Sequence, residues 1–389
     1  MFRLQPPLPD DYTTATTDEL VRRVITARSR LGKRLVILGH HYQREEVIQF
    51  ADRRGDSFSL ARFAADQHDA EFVVFCGVHF MAESADILTG PHQQVILPDL
   101  NAGCSMADMA ELDDVEQVWD ELAEVTDIEA IVPITYVNSA AALKAFVGRN
   151  SGAVCTSSNA RAVLSWALGL DEPGAGRARA AAPAPRAQSA NAGGRGDKVL
   201  FFPDQHLGRN TGFGLGYGVS DMQVVDPRQR LGGLADADVK AATFLLWKGH
   251  CSVHQRFRTE HVEAFRSEHP DGIVIVHPEC SCEVVEIADQ VGSTDYIIGA
   301  VSAAAPGSTI AVGTEIHLVE RLAREHPDRT VLSLDPLVCP CSTMFRIDLP
   351  HLAWVLDGLV AGEVRNRVVV DEATAADARV ALERMLAIA

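Results

Sequence analysis

The sequence predicts an α/β fold in which three related units, each with a parallel sheet covered by helices, surround a common centre. Two observations predict it. Short apolar, β-rich runs alternate with segments of helical period along most of the chain, which is the pattern of parallel sheets buried on both faces. In addition, a stretch near residue 45 is echoed near residue 280. With 389 residues, 47% of them hydrophobic, the chain is long enough for two or three domains.

The predicted elements follow one another in a regular order. Strands are predicted for "RLVILGH", "EFVVFCG", "AIVPITYVN", "VLFFPD", "GIVIVHP", "YIIGAVS" and "TIAVGTE". Helices are predicted for "REEVIQFADRR", from about Ala82, and for "SAAALKAFVGR". In open parallel sheets, ligands bind at the carboxyl ends of the strands. The short polar strings that follow these strands are therefore the places to look for a site.

The echo is a long-range internal repeat. "LGHHYQREEVIQFADRRGDS" aligns with "IVHPECSCEVVEIADQVGST", so that His40 falls on His277 and Ser57 on Thr294. The register continues, because Cys104 and Cys341 each stand 47 residues after those hydroxyl residues. Such agreement over many positions indicates two related structural units.

A fainter middle copy lies between them. "IVPITYVNSA" ends in polar residues as the outer strands do, and it places Tyr136 and Asn138 at the equivalent strand end. Ser157, in "AVCTSSNA", then matches the two hydroxyl residues of the outer copies. The cysteine that closes this copy is Cys251, in "WKGHCSVHQRF". Each unit thus offers polar strand-end residues, a hydroxyl and one cysteine.

The repeat divides the chain into three Rossmann-like αβα domains around a pseudo-threefold axis. Their predicted boundaries are 25–110, 111–255 and 256–350, and residues 351–389 are predicted to form a C-terminal helical segment. Residues 171–197, within the second domain, are rich in Ala, Pro, Gly and Arg and lack an apolar period. Such a stretch buries too little to order itself, so it is predicted to be a flexible surface insertion without a catalytic role.

Composition excludes several classes of function. The formal net charge is −18 and no run of lysine and arginine offsets it, which argues against a nucleic-acid or anionic-membrane surface. The start of the chain lacks the basic head and apolar region of a signal peptide, and no apolar run approaches the roughly 20 residues that span a bilayer. These features predict a cytoplasmic protein, in which eight cysteines indicate a metal or redox site or buried thiols rather than disulfides.

Three cysteines brought to one centre would form an incomplete ligand set. Structural zinc sites and electron-transfer [4Fe–4S] clusters normally take four protein ligands. With three, Cys104, Cys251 and Cys341, one iron of a [4Fe–4S] cluster stays open and acts as a Lewis acid, which suits dehydration or condensation chemistry. Cys339 is the alternative third ligand, because "VCPCSTM" contains both cysteines and only the 47-residue register selects Cys341.

The other cysteines are predicted to be structural. Cys76 and Cys155 lie in or beside apolar strands and are expected in the core. Cys280 and Cys282 have no counterpart in the first copy, so we expect no role for them.

The polar residues at the repeated positions allow two interpretations. Ser57, Ser157 and Thr294 precede helical stretches, so they are either ordinary N-caps or parts of helix-start cradles for carboxylate or phosphate. The strand-end residues are His40, Tyr42, His277 and Glu279. They are candidates for acid–base catalysis and substrate binding, or else they are structural residues whose hydrogen bonds are made within the protein. His254, three residues after Cys251, is predicted to share a helical face with it.

The combined motifs resemble the quinolinate synthase (quinolinate synthetase A) family. The segments that carry the resemblance are "GHHYQ…ADRRGDS", "GVHFMAES", "PDLNAGCSMAD", "TYVNS", "CTSSNA", "FPDQHLGRNT", "WKGHCSVHQRF", "VHPE" with "VGST", and "CSTM". They run in the family's order from about residue 35 to 355, apart from the 171–197 insertion. So many motifs in one order make the resemblance specific.

The resemblance implies a reaction and a cofactor. The reaction is the condensation of iminosuccinate (iminoaspartate) with dihydroxyacetone phosphate to quinolinate, with release of phosphate and water, in de novo NAD biosynthesis. It also implies a functional coupling to L-aspartate oxidase. The cofactor is a central [4Fe–4S] cluster, held at the positions of Cys104, Cys251 and Cys341. Cys341-Ser-Thr-Met344 fits the family's Cys-x-x-Met pattern, although some members carry a Cys-Pro pair like Cys339-Pro340.

The resemblance also implies roles for individual residues. Tyr42, His277 and Glu279 would shuttle protons during isomerisation and ring closure, while the open iron assists the final dehydration. The remaining substrate contacts would be His40, Ser57, Tyr136, Asn138, Ser157, His254 and Thr294.

Two rival functions share the three-cysteine site. One is a different iron–sulfur hydro-lyase that dehydrates hydroxy acids and needs no phosphate-bearing cosubstrate. The other is a non-catalytic iron–sulfur carrier or metal-binding scaffold, in which the strand-end His, Tyr and Glu residues would have no task. Phosphate release separates the first rival from quinolinate synthesis.

Overall fold

Three separate sheets, each with a parallel core, organise the chain. The computed structural model describes residues 5–170, 196–337 and 340–388. In each sheet the first three strands of the unit are ordered second, first, third. The fourth strand comes next in the first and third sheets, whereas in the second sheet a fifth strand lies beside the third and the fourth forms the edge. The first sheet also carries one edge strand from the C-terminal segment. The predicted α/β class with parallel sheets is confirmed, while the threefold axis and the domain boundaries stay predictions.

The first sheet and its helices occupy the N-terminal part of the chain. The helices are α1 (Asp10–Thr13), α2 (Thr17–Leu31), α3 (Glu45–Ile48), α4 (Ser57–Ala65) and α5 (His79–Leu88). The strands are β1 (Leu35–His40), β2 (Arg53–Gly55), β3 (Phe72–Cys76) and β4 (Gln94–Ile96). Every residue of β1 and β3 is buried, as expected for the centre of a sheet covered on both faces.

The second sheet follows after a connecting helix. The helices are α6 (Leu112–Ala123), α7 (Ala141–Arg149), α8 (Ala160–Ala167), α9 (Gln205–Gly214) and α10 (Asp236–Ala241). The strands are β5 (Ile131–Tyr136), β6 (Ala153–Cys155), β7 (Lys198–Phe202), β8 (Met222–Val225) and β9 (Phe244–Trp247). The predicted insertion 171–197 falls before β7; residues 171–195 lie outside the described residues.

The third sheet has four strands. The helices are α11 (Thr259–Glu268), α12 (Cys282–Ile287), α13 (Thr294–Ala303) and α14 (Ile316–Glu325). The strands are β10 (Ile273–Val276), β11 (Gln290–Val291), β12 (Thr309–Gly313) and β13 (Thr330–Ser333). Along β10, Ile275 packs into one apolar cluster and its neighbours Val274 and Val276 pack into another. This alternation explains why a strand buried on both faces has a continuous apolar sequence.

The C-terminal segment returns to the first two sheets. It comprises α15 (Leu349–Ala361), β14 (Arg367–Val368) and α16 (Glu372–Ile388). α15 packs on α2, β14 pairs antiparallel with β4, and α16 packs on α7 and β6. The last helices therefore bury apolar surface of the first two units in one continuous core.

Strand pairing gives the internal repeat a structural register. His40 lies opposite Gly55 and Tyr136 opposite Cys155, while in the third sheet Val276 lies opposite Val291, one residue before His277 and Gly292. The hydroxyl residue that the alignment matched follows two positions after Gly55, Cys155 and Gly292 alike. The three strand ends are therefore equivalent in backbone register as well as in sequence.

Two element predictions were wrong. "YIIGAVS" belongs to α13, where the Ser293 hydroxyl caps the helix and Ile297 and Val301 bury one face four residues apart. "REEVIQFADRR" yields only the short helix α3, because its last part forms β2 beside β1. Short apolar runs do not distinguish buried strands from buried helices, so tertiary packing decided both.

No helix among the described residues is long and apolar enough to cross a membrane.

Substitution of Gly148 in α7 would test how closely α16 packs against that helix. A methyl group there would overlap the carbonyl oxygen of Asp377 in α16, whereas a methyl group on Gly299 in α13 would meet no atom within 4 Å. We expect Gly148→Ala to lower the free energy of unfolding by about 1–3 kcal/mol through overpacking. The matched control Gly299→Ala should raise it by up to about 1 kcal/mol, because alanine favours the helix. Urea denaturation of both variants measures this, and equal stabilities would contradict it.

Candidate active site

One cavity lies at the carboxyl ends of β1, β5, β10 and β12. Every described residue that the sequence nominated for the site lines it. These are His40, Tyr42, Ser57, Cys104, Tyr136, Asn138, Ser157, Cys251, His254, His277, Glu279, Thr294 and Cys341. The repeat therefore brings its equivalent positions to one place, and their individual roles remain predictions.

The three cavity cysteines begin turns of the same shape. The amide four residues further on donates to the cysteine carbonyl at 3.1 Å for Cys104, 3.0 Å for Cys251 and 2.9 Å for Cys341. A short 3-10 turn starts three residues after each cysteine. This shared turn supports the register that selects Cys341, whereas Cys339 lies outside the described residues. It also places His254 in a 3-10 turn rather than on the expected helical face.

The thiols of this set are protonated in the absence of a metal. Burial, together with the nearby Cys341 thiol, raises the pKa of Cys104 to about 12. Burial likewise raises the pKa of Cys251 and Cys341. In each case a peptide N–H three residues further on donates to the sulfur and opposes the rise. Thiols that receive peptide hydrogen bonds and share one cavity form a suitable donor set for a soft metal centre.

The remaining described cysteines do not line the cavity. Cys76, Cys155 and Cys280 are fully buried, and Cys282 is partly buried. All are free thiols, and the core positions predicted for Cys76 and Cys155 are confirmed.

His40 and His277 make the same local hydrogen bond. The backbone N–H of Tyr42 donates to His40 Nδ1 at 3.2 Å, and that of Glu279 donates to His277 Nδ1 at 3.3 Å. Burial lowers the pKa of both rings, to about 3 for His277. Because Nδ1 accepts, each neutral ring carries its proton on Nε2. The cavity thus gains two equivalent hydrogen-bond donors from two different sheets.

Glu279 is a buried carboxylate with partners from several elements. Tyr136 Oη donates to its Oε1 at 2.6 Å, and His254 Nδ1 lies 2.8 Å from its Oε2. The His254 ring in turn stacks on His277 at 4.5 Å between centroids. Burial alone would raise the pKa of Glu279, but His254, His277 and these hydrogen bonds hold it below its usual value. The group is therefore ionised, and both of its oxygens have hydrogen-bond partners.

The two cavity tyrosines keep their protons. Burial, with the charge of Glu279, raises the pKa of Tyr42 and Tyr136 well above the usual value. Tyr42 Oη lies 2.8 Å from Thr314 Oγ1, and Thr314 Oγ1 lies 3.1 Å from His254 Nε2. Both phenols are thus hydrogen-bond donors at neutral pH.

The repeated hydroxyl residues are not helix caps. Ser57 and Thr294 are the first residues of α4 and α13, and the caps are the preceding side chains, Asp56 and Ser293. Ser157 stands in the turn before α8 and makes no cap either. The N-capping alternative is therefore wrong for this set, and the hydroxyls are available to the cavity together with two helix N-termini.

No lysine or arginine occurs among the described residues that line the cavity. Its charged lining residues are acidic, namely Asp56, Glu279 and Glu315. Any anionic ligand must therefore be held by hydroxyls, neutral imidazoles, helix-start amides or a bound metal.

Sequence reasoning missed Thr314 and Glu315. Both are buried at the carboxyl end of β12 and follow the string "TIAVG". Glu315 caps α14, accepting from His317 N at 2.8 Å, and its Oε1 also accepts from the backbone N–H of Cys341 at 3.3 Å. The signal was present, because these are polar residues directly after a predicted strand.

Cys251, His254 and Glu279 could also hold a metal ion. Their ligand atoms lie within 4.8 Å of one another. The cavity thus combines a thiol set with a Cys/His/Glu group that shares one of its cysteines.

Comparison with known proteins identifies the family to which this chain belongs. The model of the family "Quinolinate synthetase A protein" matches residues 23–173 and 186–387. This chain belongs to the quinolinate synthetase A family. The interval between the matched segments falls within the Ala- and Pro-rich insertion.

Members of the family are similar along nearly the whole chain. A quinolinate synthase of Corynebacterium glutamicum is 52% identical over 99% of this chain and 91% of its own length. One of Nocardioides sp. is 53% identical over 98% of this chain and 92% of its own length. One of Geobacillus thermodenitrificans is 50% identical over 100% of this chain and 98% of its own length. The likeness thus extends over more than nine tenths of the length of each of these relatives.

A buried lysine supports the loop that carries Asn138. Lys144 is 0% exposed, and its ammonium donates to the carbonyl of Ser139 and lies 5.5 Å from the centre of the Phe80 ring. Burial lowers the pKa of Lys144 to about 8, although the charge of Glu83 opposes this. Lys144 is therefore still mostly protonated at pH 7, but it loses its proton at a lower pH than a lysine in water does.

The lowered pKa of Lys144 predicts that the free energy of unfolding changes with pH. Between pH 8 and 10.5 the unfolded chain binds the proton of Lys144 and the folded chain does not, so this residue makes stability rise with pH. Relative to Lys144→Met, the wild-type protein should gain about 1–2 kcal/mol between pH 8 and pH 9.5. Urea unfolding at both pH values measures the difference. The exposed Lys33→Met serves as a control and should show none, and a flat difference for Lys144 would contradict the prediction.

Proposed function

We propose that this chain condenses iminosuccinate with dihydroxyacetone phosphate to quinolinate, releasing phosphate and water, in de novo NAD biosynthesis. The family assignment supports the activity. The observation that carries the proposal is the cavity itself, in which three equivalent cysteines face the buried network of Tyr136, Glu279 and His254. This combination supplies both a metal site and acid–base groups.

Cys104, Cys251 and Cys341 would hold a [4Fe–4S] cluster in this proposal. The residues fit the group, because three thiols with matching turns and peptide hydrogen bonds line one cavity. When bound, such a cluster supplies an open iron that acts as a Lewis acid for dehydration. Metal binding would also displace the thiol protons that burial retains.

Glu279 is the proposed general base. It is ionised, shielded from solvent, and held by two donors that fix its orientation. Tyr42 and His277 would carry protons to and from the reacting groups, because both present a protonated donor at the cavity. The neutral rings of His40 and His277 would orient substrate carbonyl or carboxylate oxygens.

The anionic groups of the substrates would be held without lysine or arginine. Ser57 and Thr294 place their hydroxyls at the N-termini of α4 and α13, where backbone amides point outward and the helix dipole favours negative charge. Ser157 and Asn138 supply equivalent polar groups from the second unit. Functional coupling to L-aspartate oxidase and a cytoplasmic location belong to the proposal as well.

Turnover with both substrates tests the function. Anaerobically reconstituted protein should form quinolinate, detected by mass, and release one phosphate per product; omitting iron or either substrate should abolish it. Glu279→Gln should keep the iron content and lower turnover by about 100-fold or more, since a positioned base is removed. Dehydration of a hydroxy acid without phosphate release would instead favour the hydro-lyase alternative. Normal turnover of the Gln variant would remove Glu279 from its role.

Iron content tests the ligand set. Separate Cys→Ser changes at 104, 251 and 341 should each prevent cluster assembly, seen as lost iron and sulfide and lost visible absorption. The matched control is Cys282→Ser, which removes a thiol outside the cavity and should leave iron content unchanged. Cys339→Ser distinguishes the two candidates of that loop. Loss of iron in Cys339→Ser but not in Cys341→Ser would show that the register is wrong by two residues.

A further inference from the structure

A helix of the second unit holds the loop of the third unit that carries Glu279. The loop consists of residues 277–280, which follow β10 and are all buried. The side-chain amide Nδ2 of Asn210, in α9, donates to the carbonyl oxygens of Pro278 and Cys280, each at 2.8 Å. Because these carbonyls belong to the residues before and after Glu279, one amide group holds the backbone on both sides of the proposed base.

The two contacts use every donor that the Asn210 side chain has. Both partners are carbonyl oxygens, which only accept, so the amide nitrogen must face them and each of its two protons makes one bond. No other hydrogen bond to either carbonyl is found among the described residues. A buried carbonyl that loses its donor is costly, so the loop has a physical reason to follow Asn210.

The helix that carries Asn210 is itself firmly placed. Asp204, which is 0% exposed, caps α9 by accepting from the backbone N–H of His206 at 2.6 Å. A methyl group on Gly208 would lie 2.7 Å from the side chain of Leu246 in β9, so the helix lies close against the second sheet. These residues form the "FPDQHLGRNT" segment, in which neither the repeat nor the resemblance assigned a role to any residue. Asn210 therefore extends a fixed point of the second unit to the third.

Glu279 needs such a tie because its partners lie on another sheet. Its loop is attached to the third sheet, where the backbone N–H of His277 donates to the carbonyl of Gly313 in β12 at 3.1 Å. The two side chains that pair with its carboxylate both follow strands of the second sheet. The backbone tie through Asn210 also crosses between these two sheets, so it sets where the carboxylate stands relative to its partners.

We propose that Asn210 is a positioning residue, whose two amide protons hold the backbone on either side of Glu279 in the geometry that the reaction needs. This inference rests on the proposed function, because it takes Glu279 as the general base. Asn210 is not one of the described residues that line the cavity. It therefore acts through Glu279 and does not touch the reacting atoms.

Kinetics of an amide-deletion variant test the proposal. Leucine is close to asparagine in size but donates no hydrogen bond. In the reconstituted enzyme, Asn210→Leu should lower kcat by about 10- to 100-fold, because a small displacement of a catalytic group is enough for such a loss. KM for both substrates and iron content should change little. The matched control is Asn150→Leu, which removes an amide that donates to the carbonyl of Phe146 at 2.9 Å outside the cavity and should leave kcat unchanged.

A double mutant shows whether Asn210 acts through Glu279. In a Glu279→Gln background, which already lacks the base, adding Asn210→Leu should lower kcat by less than about 2-fold. Wild-type kcat in Asn210→Leu, or an additive effect in the double mutant, would overturn the proposal. If Asn210→Leu does not fold, Asn210→Ser takes its place. Its single hydroxyl proton cannot serve both carbonyls, so kcat should fall by about 5-fold or more, and wild-type kcat would overturn the proposal.

Crystal structures separate this inference from the proposed function. If the wild-type protein with its cluster makes no quinolinate, the proposed function fails. Positioning is then decided by the loop of residues 277–280 in Asn210→Leu. A loop whose backbone shifts and moves the Glu279 carboxylate away from Tyr136 supports it, and a loop that stays in place overturns it.

Discussion

The burial of one charged carboxylate determines which side chains must lie next to it in the cavity. Glu279 is 3% exposed yet ionised, and an unpaired charge in that position would cost several kcal/mol. Its oxygens are paired with Tyr136 at the end of β5 and with His254 in a cysteine turn. Both partners follow strands of the second sheet, whereas Glu279 follows β10 of the third, so the charge is paired only when these two sheets are docked. Because His254 Nδ1 faces Glu279, its Nε2 lies next to the hydroxyl of Thr314. That hydroxyl in turn lies next to Tyr42 Oη.

Parallel sheets explain how three units can supply one site. All strands of such a sheet end on the same side, where backbone register places equivalent residues at equivalent points. The register at His40, Tyr136 and His277 is common to the three sheets, and each unit adds a cysteine at the start of an identical turn. The units have then diverged in chemistry. The first and third keep a histidine whose Nδ1 accepts from the backbone, while the second has the tyrosine that donates to Glu279.

The acidic lining of the cavity limits how the proposed anionic substrates could be held. With Asp56, Glu279 and Glu315 in the lining and no described lysine or arginine, recognition of anions depends on polar groups that the fold already exposes. Asp56 and Ser293 cap their helices, which leaves Ser57 and Thr294 free to face the cavity beside helix N-termini. Fixed donors of this kind need little reorganisation when charge develops during a reaction.

The sequence by itself determined the α/β class, the internal repeat, and thirteen residues that prove to share one cavity, because strand-end periodicity and repeat register are local properties of the chain. Only the tertiary structure decided that "YIIGAVS" is helical, since a short apolar run packs equally well as a buried strand or helix. It also decided the partners: Thr314 lies 272 residues from Tyr42 and 60 from His254. No spacing rule predicts such a contact, because its geometry depends on how separate sheets dock and on which donors and acceptors then remain unpaired.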